Sequence, residues 1–155
     1  MTVPAESLTR TPAIEASEIL ALVYEPVAVH VPDARRRVST MLQAFSADTV
    51  ELQDAAALIV SELATNVVQH GRGLMRINIT VTPGQGAVPT RVRVEVADDN
   101  PDLPAFPIAA EGAEDAGIDE SGRGLGLVAM VASCWGVDAK CRNGDVVGKV
   151  VWAEL

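Results

Sequence analysis

Glu62-Leu63-Ala64-Thr65-Asn66-Val67-Val68-Gln69-His70-Gly71 is the stretch that decides how the rest is read. Its apolar residues recur at helical spacing. Glu62, Asn66 and His70 stand at i, i+4 and i+8, so they share one face of that helix. Taken alone, the block is also what the polar stripe of any amphipathic helix looks like. A chemical reading needs a hard neutral oxygen and a carboxylate one turn apart. Asn66 offers the first, a suitable ligand for a magnesium ion that keeps most of its waters. Glu62 offers the second, a group able to orient or deprotonate a nucleophile. His70 reads as a helix-end residue favoured by the dipole.

Working outward, Gly122-Arg123-Gly124-Leu125-Gly126-Leu127 is the second informative block. It reads as a glycine turn opening a helix that runs from Gly124 to about Ser133. Bare N–H groups at a helix start bind anions, and Arg123 could add a charge-assisted contact to phosphate. The lysine and the spacing of a P-loop are absent. Between the two blocks lies Arg91–Asp98, whose Val92, Val94 and Val96 alternate cleanly as a half-buried strand. The alternation points Asp98 to the same inner side, whereas Asp99 points out. A buried acid requires a partner, and an exocyclic amine such as that of adenine is one candidate.

The remaining elements follow from period and punctuation. Residues 1–20 lack a period and read as a mobile tail, leaving one domain over 21–155. Leu22–Val31 reads as a first strand, with Val27, Val29 and Val31 on one side and Pro32 ending it. Asp33 is placed to cap a helix to about Phe45, with Val38, Met41, Leu42 and Phe45 at helical spacing. Asp48 with Glu51 forms a capping box for the long helix that ends at His70, with Gly71 as its C-terminal cap. Leu74–Thr82 alternates as a strand, and Pro83-Gly84-Gln85-Gly86 turns the chain. From Asp99 to Ser121 no period is found, and five acids fall between Glu111 and Glu120. A loop of this length reads as a lid. Trp135–Arg142 and Val146–Leu155 close the chain as a hairpin around Asn143-Gly144. The order predicts an α+β fold, a two-layer sandwich with helices over one face of a mostly antiparallel mixed sheet.

Composition narrows the partners. The net charge is −9, from 12 Lys+Arg against 21 Asp+Glu, which argues against direct nucleic-acid binding. Arg35, Arg36 and Arg37 read as a solvated helix face or a local docking patch. No stretch approaches the roughly 20 apolar residues of a membrane span, and the start is not that of a secretory signal. Cys134 and Cys141 make no metal pattern and are expected to be reduced, in a cytoplasmic protein, with a disulfide between them as the alternative.

In this order, the three blocks resemble the ATP-binding domain shared by gyrase, histidine kinases and related ATPases, the Bergerat fold. The single-domain form is similar to the bacterial anti-sigma-factor serine kinases, over about residues 22–155. Gly148-Lys149-Val150-Val151-Trp152 resembles the closing strand of that group. The resemblance implies ATP and Mg²⁺ as cofactors. It implies Asn66 as metal ligand, Glu62 as general base, and Asp98 as reader of the adenine amine. Gly122, Gly124 and Gly126, with Arg123 and Leu125 of the same block, would hold the phosphates. The implied function is an anti-sigma factor that sequesters a sigma factor and phosphorylates an anti-anti-sigma antagonist on serine, expected as a homodimer. One block departs from the family: Asp98-Asp99-Asn100-Pro101-Asp102 stands where Asp-x-Gly-x-Gly is usual. Asn100 is the residue there best suited to a left-handed backbone. Asp102 brings negative charge towards the nucleotide. The alternative function is therefore a binding module on the same fold, without turnover.

Overall fold

The computed structural model describes residues 17–44, 50–84, 87–104 and 120–155. The element order is β1 (Glu18–Tyr24), α1 (His30–Ala44), α2 (Val50–His70), β2 (Met75–Thr82), β3 (Arg91–Asp98), α3 (Glu120–Val131), β4 (Cys134–Arg142) and β5 (Asp145–Glu154). The five strands form one sheet in the order β1-β2-β3-β5-β4. Every pairing is antiparallel, in keeping with the expected mostly antiparallel sheet, and no parallel pair occurs among the described residues.

Period-two alternation sorts the two faces. Met75, Ile77, Ile79 and Val81 of β2 are buried, as are Val92, Val94 and Val96 of β3 and Val151 and Ala153 of β5. Against them pack Val38 and Leu42 of α1, Ile59, Val60, Leu63 and Val67 of α2, and Leu125 and Val128 of α3. At 21 residues, α2 is the longest helix, and it touches α1, α3 and the central strand β3. Its central place explains why its inward residues are apolar on a broad face, with Glu62 and Asn66 left at the border with α3.

The first strand differs from its expected position. It takes Glu18–Tyr24 and stops where Tyr24 pairs with Met75 of β2. Residues 18–20, expected in the tail, therefore belong to the sheet. The tail residues 1–16 lie outside the described part. Val27, Val29 and Val31 are not on a strand: the His30 amide donates to Val27 O at 3.0 Å and the Val31 amide to Ala28 O at 3.2 Å, which winds the chain into α1. Pro26 removes a ladder donor just past the strand end. Pro32 sits in the first turn of α1, where a missing N–H costs nothing.

Asp33 is correspondingly inside the first turn of α1 rather than at its cap. Its carboxylate accepts from the Tyr24 hydroxyl at 2.8 Å, from Arg36 at 2.6 Å and from Arg37 at 2.8 Å. The hydrogen bond from Arg37, then those from Tyr24 and Arg36, hold this carboxyl well below the usual carboxylate range. Two of the three clustered arginines are thus paired along their own helix, with their side chains still largely in solvent. Phe45, Asp48 and its capping box lie outside the described residues.

At the other end of α2 the chain turns in two stages. The Gly71 amide donates to Val67 O at 2.8 Å, continuing the helical pattern. The left-handed residue is Gly73 (φ 67°), not Gly71. A Cβ on Gly73 would overlap the Asp99 carboxylate. Gly73→Ala is therefore expected to cost more than the roughly 1–2 kcal/mol of the left-handed backbone alone. A urea unfolding curve measures it, and an unchanged midpoint would refute the argument.

The β4–β5 turn follows expectation. Asn143 (φ 54°) and Gly144 (φ 92°) both have positive φ, as a type I′ hairpin turn demands. Cys134 and Cys141 are both free and exposed. They occupy opposite ends of β4, roughly 23 Å apart at a strand's rise per residue, beyond the reach of a disulfide. Among the described residues, no helix is long and apolar enough to cross a membrane.

Candidate nucleotide site

Helices α2 and α3 and strands β3 and β5, with the segment after β3, enclose a cavity of about 240 Å³. Leu63, Val67, Leu125 and Val151 give it apolar walls. Asn66, His70, Asp98, Asn100, Asp102 and Lys149 give it polar ones. The volume falls below the roughly 300–1,000 Å³ of sites that swallow a whole small ligand. It suits a heterocyclic base, with the rest of the ligand outside.

The two sequence blocks meet on one side of this cavity. A Cβ added at Gly124 would stand 2.7 Å from Glu62 Oε2 and 3.6 Å from Asn66 Oδ1. Gly124 is thus the point where α3 comes against the Glu62–Asn66 face of α2, and only a residue without a side chain leaves that carboxylate in place. Leu125 is buried and lines the cavity. Gly126 differs: a Cβ there would meet nothing within 4 Å.

The helix that carries the glycines starts earlier than expected. α3 begins at Glu120, two residues before the glycine block, and ends at Val131. Gly122 and Arg123 fall among the first four N–H groups, which have no intrahelical partner, whereas Gly124 and Gly126 fall beyond them. Burial of Leu125 and Val128 against the core outweighs the low helix propensity of the three glycines. The side chain of Arg123 and the loop residues 105–119 lie outside the described part.

Asp98 lies where the alternation puts it, at the inner end of β3 and 1% exposed. Its partner is Lys149, the residue opposite it on β5. Lys149 Nζ stands 3.1 Å from Asp98 Oδ2 and 3.3 Å from Oδ1. Asp98 Oδ1 also accepts from the Asn100 amide at 2.6 Å and from the Arg72 amide at 3.4 Å. Oδ2 has Lys149 as its one described partner.

Asn100 does not take the left-handed backbone expected of it; Asn143 is the one described non-glycine residue with positive φ. Asn100 works through its side chain instead. Its Nδ2 donates to His70 O at 2.8 Å, satisfying a carbonyl at the end of α2, and its Oδ1 accepts from the Asp102 amide at 3.2 Å. A side chain thereby ties together what a glycine loop would leave loose. Asp102 does reach the cavity, and its charge is partly offset by Arg72 at 3.7 Å.

Asp99 faces the opposite side of the sheet. Lys140 reaches its Oδ1 at 2.6 Å and Arg76 at 3.3 Å. The Lys140 hydrogen bond holds the Asp99 carboxyl below the usual carboxylate range, helped by the charges of Lys140 and Arg76 and opposed by desolvation. Asp99 is thus engaged structurally, and of these two neighbouring acids Asp98 is the one that lines the cavity.

The sequence motifs assign Lys149 no role in the site, and they assign Asn100 a backbone role rather than the side-chain one it has. Lys149 was legible: in Val147-Gly148-Lys149-Val150-Val151-Trp152-Ala153 it has the parity of Val151 and Ala153, the buried side. The hydrogen bonds of Asn100 depend on the end of α2 arriving beside β3, which no local pattern announces.

The residues present fit the groups the resemblance implies. Asp98 Oδ2 can accept one more hydrogen bond at the edge of an apolar, base-sized cavity. Glu62 and Asn66 present hard oxygens together. Among the described residues no group of three or more His, Cys, Asp and Glu could hold a metal by itself. A cation here would draw on one or two protein oxygens and complete its shell from phosphate and water, the habit of Mg²⁺.

An antiparallel sheet under three helices, with a base-sized cavity between α2, α3 and the sheet, defines an α+β sandwich of the Bergerat ATPase type. The family model described as histidine kinase-like ATPase domain matches residues 25–153, and the chain belongs to that family. ATP is the ligand the family implies. A search of curated proteins gives no match.

Proposed function

We propose that this protein is an ATP-dependent protein serine kinase that also acts as an anti-sigma factor. The observation that carries the kinase part is the convergence of Glu62 and Asn66 on Gly124, beside a cavity with Asp98 in its wall. In this reading Asp98 accepts a hydrogen bond from the adenine amine. Asn66 Oδ1 holds Mg²⁺, which, when bound, neutralises charge on the phosphates. Glu62 accepts the proton of the serine hydroxyl on its carboxylate. N–H groups of Gly122 and Arg123, in the first turn of α3, hold the phosphates together with the Arg123 side chain. The sigma factor, the serine-bearing antagonist and the homodimer rest on the resemblance of the motifs to the anti-sigma kinases, and the cytoplasmic location rests on the reading of Cys134 and Cys141 as a reduced pair.

Calorimetric titration with ATP and with GTP, each with Mg²⁺, tests the nucleotide part. ATP is expected to bind and GTP to bind much more weakly. Absence of binding by either at millimolar concentration would remove the kinase. A second reading, a binding module without turnover, is favoured by the Asp98–Asp102 segment, where Asp102 brings a carboxylate to the cavity. Incubation with labelled ATP and candidate antagonists separates the two, since only the kinase labels a serine.

Gly124→Ala gives a sharper check. Alanine favours a helix over glycine by about 0.5–1 kcal/mol, and the group it would meet is the far end of the Glu62 side chain. The variant is expected to melt near the parent temperature. Displacement of Glu62 should still lower phosphoryl transfer, by on the order of 10²-fold for a shift of about 1 Å. Full activity in a folded Gly124→Ala would contradict Glu62 as the base.

A further inference from the structure

Lys149 is a buried ammonium in the wall of the cavity, 7% exposed, and the proposed roles leave it unused. An ammonium carries three N–H donors. One meets Asn100 O at 3.0 Å, and one is shared between the two Asp98 oxygens, Oδ2 at 3.1 Å and Oδ1 at 3.3 Å, which lie too close together to take a separate N–H each. The third has no described partner. Asp98 Oδ2 and Lys149 Nζ therefore stand side by side, 3.1 Å apart, as an acceptor next to a donor, and both residues line the same cavity.

We propose that Lys149 is a second specificity-determining residue, reading the purine together with Asp98. The adenine edge carries an amine donor beside the ring acceptor N1. The amine matches Asp98 Oδ2 and N1 matches the free proton of Lys149. Guanine reverses both: its carbonyl faces the carboxylate and its N1–H faces the ammonium. One acid alone rejects guanine at a single point, whereas the pair rejects it at two. A site built to hydrogen-bond a ligand atom discriminates strongly against an analogue that lacks it, because the protein group is then left unpaired. The inference rests on the nucleotide-binding reading above and adds a named contact to it.

Calorimetry with ATP and 1-deaza-ATP, in which C–H replaces N1, is the test. The parent protein is expected to bind ATP on the order of tenfold more tightly than 1-deaza-ATP. Lys149→Met is expected to bind the two equally. Equal binding by the parent overturns the role of Lys149 and leaves the ATP site standing. A preference that persists in Lys149→Met also overturns it, because the donor to N1 is then another group. Failure of the parent to bind ATP at all removes the site and the inference together. Should Lys149→Met fail to fold, Asp98→Asn/Lys149→Met, which buries no lone charge, takes its place with the same outcomes.

Discussion

Glu62→Gln is expected to lower phosphoryl transfer by about 10²–10⁴ while leaving nucleotide affinity nearly unchanged. Glutamine keeps the size and the hydrogen-bonding shape of the side chain but cannot take up a proton. Gly124 would still lie against it, so the packing of α2 on α3 is preserved. Asn66→Ala should behave differently, weakening both binding and turnover, because it removes the oxygen proposed to hold the metal. Single-turnover labelling of an antagonist serine, alongside calorimetry, separates the two effects. If both variants kept full transfer, the Glu62–Asn66–His70 face would be no more than the polar stripe of a helix.

Asp98→Ala is expected to cost about 3–5 kcal/mol in folding stability, the usual result of leaving one member of a buried ion pair behind. Lys149 would keep its charge among Val151, Leu125 and the backbone of residue 100, with no carboxylate beside it. The amides of Asn100 and Arg72 would lose their acceptor as well. The double variant Asp98→Ala/Lys149→Met removes the stranded charge and should recover part of the loss. Urea denaturation of the four proteins in the cycle gives the coupling. A single-variant cost below about 1 kcal/mol would show that water reaches the pair freely, contrary to its burial.

How far the sequence revealed this fold depended on how each signal arises. β2 and β3 were readable almost to the residue because one face of each is buried and the other is not, which writes a period of two into the chain. The long helix was readable for the same reason at period 3.6, and the closing hairpin because Asn143-Gly144 suits one turn type. The first strand was misplaced because Val27, Val29 and Val31 alternate by chance of spacing across a turn and a helix start. Val29 is in fact 72% exposed. The sheet edge against β2, not hydrophobicity, fixed where that strand ends.

The site divides in the same way. Asp98 was deduced from alternation, and Glu62 and Asn66 from helical spacing, so the facing of each side chain was local information. Their approach to Gly124 was not, since it depends on how α3 crosses α2. The glycines of the second block were expected in a turn, yet they lie on a helix because Leu125 and Val128 bury themselves only if the helix forms. Lys149 stayed unassigned for a different reason. A lone lysine in a valine-rich strand is commonly a solvent-facing residue, and only the parity argument already used for Asp98 would have turned it inward.

The Asp98–Lys149 pair also has a bearing on how the sheet finds its alignment. These two residues are opposite one another on neighbouring strands, and the other inward residues of β5, Val151 and Ala153, face Val96 and Val94. Small aliphatic side chains facing one another tolerate a shift of two residues, since such a slip keeps every apolar side chain on the inner face. The charged pair does not tolerate it. A two-residue slide would set a carboxylate or an ammonium against a valine, each buried and unmatched. The buried ion pair therefore acts as an indexing pin between β3 and β5, singling out one alignment among several that the aliphatic side chains alone would accept.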